Sequence, residues 1–128
     1  IAVAAEDAGA DAISLINTVL AMEINPWTRR PKTGNVMGGL SGPAIKPIAV
    51  EKVYRVAQRV KIPIIGMGGI TNGGDAAEFF MAGASAIAVG TALFKNPVAM
   101  AEIVRDLKKI MAHHGANHIS DLVGSLIV

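Results

Sequence analysis

The sequence contains no cysteine. That excludes disulfides, thiolate metal sites and a cysteine nucleophile within these residues. Charge is sparse: 17% of residues are charged and 52% are hydrophobic, the reverse of the balance that keeps a chain disordered. Despite that apolar content, no run of about 18 apolar residues occurs, which excludes a membrane-spanning helix. No secretory leader is expected in the opening residues, because Glu6, Asp7 and Asp11 interrupt the first stretch and no basic segment precedes it. Neither sign of charge dominates. Twelve Lys and Arg stand against ten Asp and Glu, a net charge of +2. The isoelectric point near 9.2 reflects a few bases spread along the chain, a weak pointer to anions and not a nucleic-acid footprint. What is present is a chain of 128 residues, long enough for one domain with a sizeable core. Its mean hydropathy of +0.46 implies apolar surface that must be buried in the protein or against a further segment.

The pattern alternates strands and helices. Residues 1–10 read as the end of a helix stopped at Gly9, and a chain opening inside a helix is expected to be part of a longer one. Residues 12–16 read as a short buried strand ending at Asn17-Thr18. Residues 19–45, with Pro26, Gly34, Gly38, Gly39, Gly42 and Pro43, read as a long loop with short ordered pieces. A helix is expected over about 46–60, with Ile48, Val53, Val56, Ala57 and Val60 on its apolar face. The run Pro63–Met67 suits a strand buried on both faces, ending at Gly68-Gly69. Asn72 can cap a helix over 73–82, with Asp75 favourable in its first turn. Residues 86–89 form a third strand, ending at Gly90-Thr91. A helix over 97–113 follows, with Ile103, Val104, Leu107 and Ile110 inward, and 119–126 can form a short terminal helix. Ala8-Gly9-Ala10-Asp11-Ala12-Ile13 is echoed by Ala82-Gly83-Ala84-Ser85-Ala86-Ile87, each a helix end, a glycine turn and an entering strand. Such βαβα alternation gives a parallel sheet with right-handed crossovers. The fold class is α/β: 128 residues match the C-terminal half of a (β/α)8 TIM barrel, which needs roughly 250. An open doubly wound sheet is the competing architecture.

All three strands end in polar or glycine residues: Asn17-Thr18, Gly68-Gly69 and Gly90-Thr91. In a barrel these share the catalytic face, and the loops after the last two strands often bind a phosphate. Glycines there let backbone N–H groups approach a ligand, and a helix starting just beyond adds positive potential. A single glycine pair need be only a tight turn. Two at consecutive strand ends, with the Thr91 hydroxyl, point to phosphate. Gly68, Gly69 and Gly90 are expected around one anion, near the helix that follows Asn72. A valine at Gly69 is expected to block the ligand while the fold survives. Asn17 and Thr18 suit a planar polar ligand or a plain turn. The 38–43 loop suits backbone laid against a flat cofactor or a lid without contacts. His113, His114 and His118 read as a surface helix end more readily than a metal site. Trp27 with Arg29, Arg30 and Lys32 suits a protein contact or a solvated loop. Met22, Met37 and Met67 read as packing, with Met67 placed to touch a ligand.

Taken together, Leu15-Ile16-Asn17-Thr18, the stretch Gly38-Gly39-Leu40-Ser41-Gly42-Pro43-Ala44-Ile45-Lys46-Pro47, Ile64–Ile70 and Val89-Gly90-Thr91-Ala92 closely resemble the C-terminal half of the dihydroorotate dehydrogenase family. The resemblance covers essentially the whole chain. Its wording looks most like the NAD-linked catalytic subunit, class 1B. It implies FMN-dependent oxidation of dihydroorotate to orotate in pyrimidine synthesis, in a cytoplasmic enzyme. The C5 proton would leave to a base and hydride would pass from C6 to the flavin. By position, Ile16 would touch FMN through its backbone, and Gly42 would lie against the flavin or its ribityl chain. Gly68, Gly69, Gly90 and Thr91 would hold the FMN phosphate; Asn17 and Thr18 would hold the pyrimidine. No metal site is implied. FAD and a 2Fe-2S centre would belong to a partner electron-transfer subunit, with the catalytic subunits forming a homodimer and neither nucleic acid nor membrane as partner. The family's proton-removing cysteine lies in its other half, so no catalytic residue is expected here.

On this reading residues 1–128 are the C-terminal portion of one FMN-binding barrel domain. Alone they would leave strand edges open, aggregate or pair with another copy, and lack turnover. Two rivals remain: another phosphate-binding barrel, such as an isomerase or lyase, and a half-barrel that only folds or associates.

Overall fold

The structure is a computed structural model that describes all residues, 1–128. Its centre is a parallel three-stranded sheet. Strand β1 (Ile13–Leu15) and the later strands β6 (Ile64–Met67) and β7 (Ala86–Ala88) lie in the order β1-β6-β7. The register pairs Leu15 with Gly66 and Gly66 with Ile87. All three strands therefore point their C-terminal ends the same way. Helix α1 (Ala2–Asp7) precedes β1 and is tied to the segment entering β6: the Glu6 carboxylate accepts from the amides of Lys61 (2.7 Å) and Ile62 (3.1 Å).

The stretch 19–45 is more ordered than a loop. It holds two antiparallel ribbons: β2 (Val19–Ala21) with β5 (Gly38–Leu40), and inside them β3 (Ile24–Asn25) with β4 (Arg30–Pro31). Glycine and proline density hid the ribbons, because each strand is only two or three residues long. Asn25 turns the inner ribbon, its side-chain oxygen accepting from the amides of Trp27 and Thr28. Met22 and Met37 lie on this projection and are exposed, so they are not packing residues. Trp27 and Ile24 are exposed beside them.

Two helices, α2 (Lys46–Ala57) and α3 (Gly73–Met81), cover one face of the sheet, and α5 (Ala99–His113) packs against α3. A short helix α4 (Thr91–Lys95) follows β7. The core lies between helices and sheet, around Ala49, Val53, Ile64, Ile70, Phe79, Ala84 and Ile103. Gly66 makes the fit possible. A Cβ there would lie 2.6 Å from the Phe79 ring, so only a bare backbone lets that fully buried ring pack this closely against β6. Gly73 does the same between helices, where a Cβ would sit 2.6 Å from the backbone nitrogen of Leu107. Two residues expected inward are not: Ile48 and Val104 are exposed. The faces are set by Ala49 and Val53 on α2, and by Ile103 and the half-buried Leu107 on α5, which leaves residues one step away turned toward solvent.

Strand β6 is covered on one face only. Ile64 and Gly66 are buried against the helices, whereas Ile65 and Met67 are half-buried on the other face. There they share the open face with Ser14, Ala86 and Ala88, their neighbours in register. No helix is long and apolar enough to cross a membrane.

Candidate functional site

A cavity of about 550 Å³ opens at the C-terminal ends of the sheet strands. Its lining brings together every residue singled out in the sequence as a ligand contact: Ile16, Asn17, Thr18, Gly42, Gly68, Gly69, Gly90 and Thr91. It adds Ser14, Ser41, Ile45, Met67 and Thr71, among others. Met67 is thus at the cavity wall, while the histidines at the end of α5 are not.

The first wall is the end of β1. The Ile16 amide donates to the Met67 carbonyl (3.0 Å), carrying the ladder past the strand, and the Leu15–Ile16 peptide is cis. Asn17 folds onto its successor: its side-chain oxygen accepts from the Thr18 amide at 2.7 Å. The Asn17 side-chain nitrogen has no partner within the chain and stays available. Thr18 lies over Gly39, where its side chain occupies the space a Cβ would take.

The second wall is the turn after β6. Gly68 and Gly69 have φ of 124° and 80°, values that disfavour any side chain. They are also crowded by their own chain. A Cβ on Gly69 would meet the Gly42 carbonyl oxygen at 2.7 Å, the Lys46 Cβ at 2.9 Å and the Lys46 nitrogen at 3.0 Å; one on Gly68 would meet Ala49 at 3.0 Å. A valine at Gly69 would therefore strain the fold itself, contrary to the expectation that only a ligand would feel it. Gly42 is buried and spans the gap to the third wall, since a Cβ there would reach the Thr91 methyl at 3.5 Å. That third wall, Gly90-Thr91, is open: a Cβ on Gly90 would meet nothing within 4 Å.

The amides of Gly68, Gly69 and Gly90 have no backbone acceptor in the turns and loops, and no side chain accepts from them. Unpaired backbone donors need water or a ligand, and three on one cavity give it the character of an anion cradle. The helix whose first residues line the cavity is α4, through Thr91 and Ala92; α3 begins two residues beyond Thr71, which also lines it. The start of α3 is served from within. Asn72 caps it, accepting from the Asp75 amide at 2.9 Å, and the Asp75 carboxylate lies in its first turn.

Beside the site lies an ion pair that the sequence did not reveal, since it marked Asp75 only as a first-turn acid of α3. Asp75 is 8% exposed and accepts from Lys46 Nζ (2.8 Å), the Thr71 amide (2.8 Å), the Thr71 hydroxyl (2.6 Å) and the Asn72 side chain (3.0 Å). Burial pushes its carboxyl up, but the hydrogen bonds from Lys46 and Thr71 outweigh that and hold it below the usual carboxylate range. Lys46 is raised by its hydrogen bonds to Asp75 and to Glu78. The available signal was weak: a lone Lys before Pro47, 29 residues from its acid.

The parallel sheet, its helix-covered face and a ligand cavity at the strand ends define part of a β/α barrel. The model of the dihydroorotate dehydrogenase family matches residues 1–111, and the chain belongs to that family. Among curated relatives, the catalytic subunit of dihydroorotate dehydrogenase B (NAD(+)) from Caldicellulosiruptor bescii is 59% identical over 98% of this chain and 42% of its own length. A relative from Solibacter usitatus, named for the fumarate-linked A type, is 55% identical over 95% of this chain and 40% of its own. The chain thus spans about two fifths of the length of these relatives. Among solved structures, a crystal structure of DHODH from Eimeria tenella in complex with ferulenol superposes with a TM-score of 0.83. It is 29% identical and covers 98% of this chain and 33% of its own. The architecture is accordingly the barrel half expected from the alternation of strands and helices.

Proposed function

We propose that residues 1–128 are the C-terminal portion of a single FMN-binding barrel domain that oxidises dihydroorotate to orotate. The observation that carries the reading is the trio of unpaired amides at Gly68, Gly69 and Gly90, on one cavity with Asn17 and Thr18. The cradle fits the phosphate of FMN: its donors are backbone N–H groups, and Thr91 adds a hydroxyl at the start of α4. FMN, when bound, supplies the two-electron acceptor for the substrate. The chain's own residues bind and orient. Gly42, a buried glycine between Gly69 and Thr91, offers side-chain-free backbone to the flavin, and Ile16 offers backbone at the end of β1. The free side-chain nitrogen of Asn17 donates to the pyrimidine, with the Thr18 hydroxyl beside it. The family resemblance implies a cysteine as the base that removes the C5 proton; these residues contain none, and on that reading the base is carried by another part of the enzyme.

The names of several relatives, which give NAD(+) and a catalytic subunit, support NAD+ as final acceptor, reached through a separate subunit. That this subunit carries FAD and a 2Fe-2S centre, and that the catalytic subunits pair as a homodimer in the cytoplasm, is what the family resemblance implies and is part of the proposal. The Solibacter relative supports a second reading, with fumarate as acceptor. The test is to purify the full-length protein carrying this segment. FMN should be released on denaturation, and dihydroorotate should bleach the bound flavin. Reoxidation by fumarate, against reoxidation by NAD+ only when the second subunit is present, separates the acceptors. A colourless preparation that takes up no FMN would sink the proposal.

A further inference from the structure

We propose that Lys46 and Asp75 form a clasp that positions the Gly68 and Gly69 amides for the flavin phosphate, an inference that rests on the FMN reading above. The turn 68–71 is gripped at both ends. At one end Gly69 lies flush against the Gly42 carbonyl and the backbone of Lys46. At the other, Asp75 takes the amide and the hydroxyl of Thr71 on its second oxygen. The ion pair joins the two grips: Lys46 Nζ reaches the first oxygen of Asp75 at 2.8 Å and also bonds Glu78 one turn further along α3. Both partners are largely covered, with side-chain exposures of 23% for Lys46 and 11% for Asp75. Neither lines the cavity.

A lysine this close to an anion cradle is the natural partner for the anion. Here it is turned away and held by two carboxylates. The phosphate is therefore met by amides, and Lys46 acts on it only by fixing where Gly69 stands. Lys46 and Asp75 are positioning residues. They differ from ordinary stabilising residues in one respect: their loss should be felt by the phosphate end of the flavin and not by its ring.

FMN and riboflavin share the ring and differ in the phosphate, so the ratio of their dissociation constants isolates that end. Both ligands are titrated into the full-length apoprotein by flavin fluorescence, alongside thermal melting. Lys46→Met should weaken FMN by about tenfold, or about 1.4 kcal/mol, with riboflavin nearly unchanged. Lys46→Arg should recover most of the preference, because a guanidinium can still bridge to Asp75. If Lys46→Met does not fold, the isosteric Asp75→Asn is read on the same scale and should move the same way. A lowered melting temperature with an FMN-to-riboflavin ratio equal to the parent's would overturn the clasp and leave a plain structural ion pair. An Arg variant as poor as the Met variant would overturn it too. A parent that binds no FMN would overturn the flavin reading itself, and the clasp with it.

Discussion

Gly69, at the end of β6, and Gly90, at the end of β7, border the same cavity but are glycines for different reasons. At Gly69 a side chain has no room: the backbone is left-handed, and the Gly42 carbonyl and Lys46 stand within 3.0 Å of where a Cβ would be. At Gly90 the surroundings are empty and φ is negative, at −115°. Packing accounts for the first glycine completely; for the second it gives no reason, and the fold asks only for a residue that suits the N-cap of α4. A glycine required by packing says little about ligands. One with free space above it and an unpaired amide is more informative about ligands, so Gly90 is the stronger support for the phosphate site proposed above.

The largest effect should come from placing the same side chain at both positions. Gly69→Val should cost about 3 kcal/mol or more, combining backbone strain with overpacking. Gly90→Val should cost no more than about 1 kcal/mol, the scale of losing a favoured N-cap residue on α4. Urea denaturation of the two apoproteins decides it, and equal midpoints would break the contrast. Next in size, Asn17→Ala extends the comparison to the third strand end. It should lower kcat/KM for dihydroorotate by about 2 kcal/mol, within the range for leaving a ligand group unpaired, while FMN stays bound. Unaltered steady-state kinetics would remove Asn17 from the substrate wall. Gly90→Val should then weaken FMN about tenfold, or about 1.4 kcal/mol, with the fold intact; undiminished affinity would return Gly90 to the status of a turn residue.

The smallest effect is in pH dependence and belongs to the β6 end alone. The Asp75 carboxyl is held below its ordinary value of 3.8. Its contribution is present above that value and is lost as pH falls through the depressed folded value. Lys46 is raised above 10.5, so its contribution is complete below 10.5 and is lost as pH rises through the raised value. Asp75→Asn should flatten the acid limb of the stability profile, whereas Gly90→Val should leave that limb unchanged. Parallel acid limbs for the parent and Asp75→Asn would show that the carboxylate adds nothing through its partners.

The parallel sheet was legible because its strands are short apolar runs between glycine turns and amphipathic helices. The C-terminal ends of those runs, Asn17-Thr18, Gly68-Gly69 and Gly90-Thr91, fall on one side by the alternation of strand and helix alone. The ribbons of residues 19–40 were not legible, since the register of Val19 on Leu40 depends on pairing across twenty residues and not on local pattern. Ile48 and Val104 misled because an apolar residue at the margin of a helical stripe can fall outside the buried arc. The crowding of Gly69 was also out of reach: it arises where residues 42–46 fold back over 68–69, a contact that spacing does not reveal. Asp75 was legible only as a first-turn acid and Lys46 only as part of the 38–47 stretch; their pairing, made by tertiary packing, was not.

The antiparallel ribbon β2–β5 has a consequence for how this protein tolerates changes of length. Its first strand follows directly from Asn17-Thr18, and its second leads directly into Ser41-Gly42, so three cross-strand pairs, Val19–Leu40, Leu20–Gly39 and Ala21–Gly38, set the spacing between two walls of the cavity. A slip of one residue would shift one wall against the other by about 3.4 Å and exchange which side chains face inward. Thr18, seated over Gly39, acts as an index mark for that register. Residues 22–37 lie beyond the last pair. Insertions or deletions there change the size of the projection and leave the cavity at its set width, while a single residue added between 18 and 21, or between 38 and 41, would missize it.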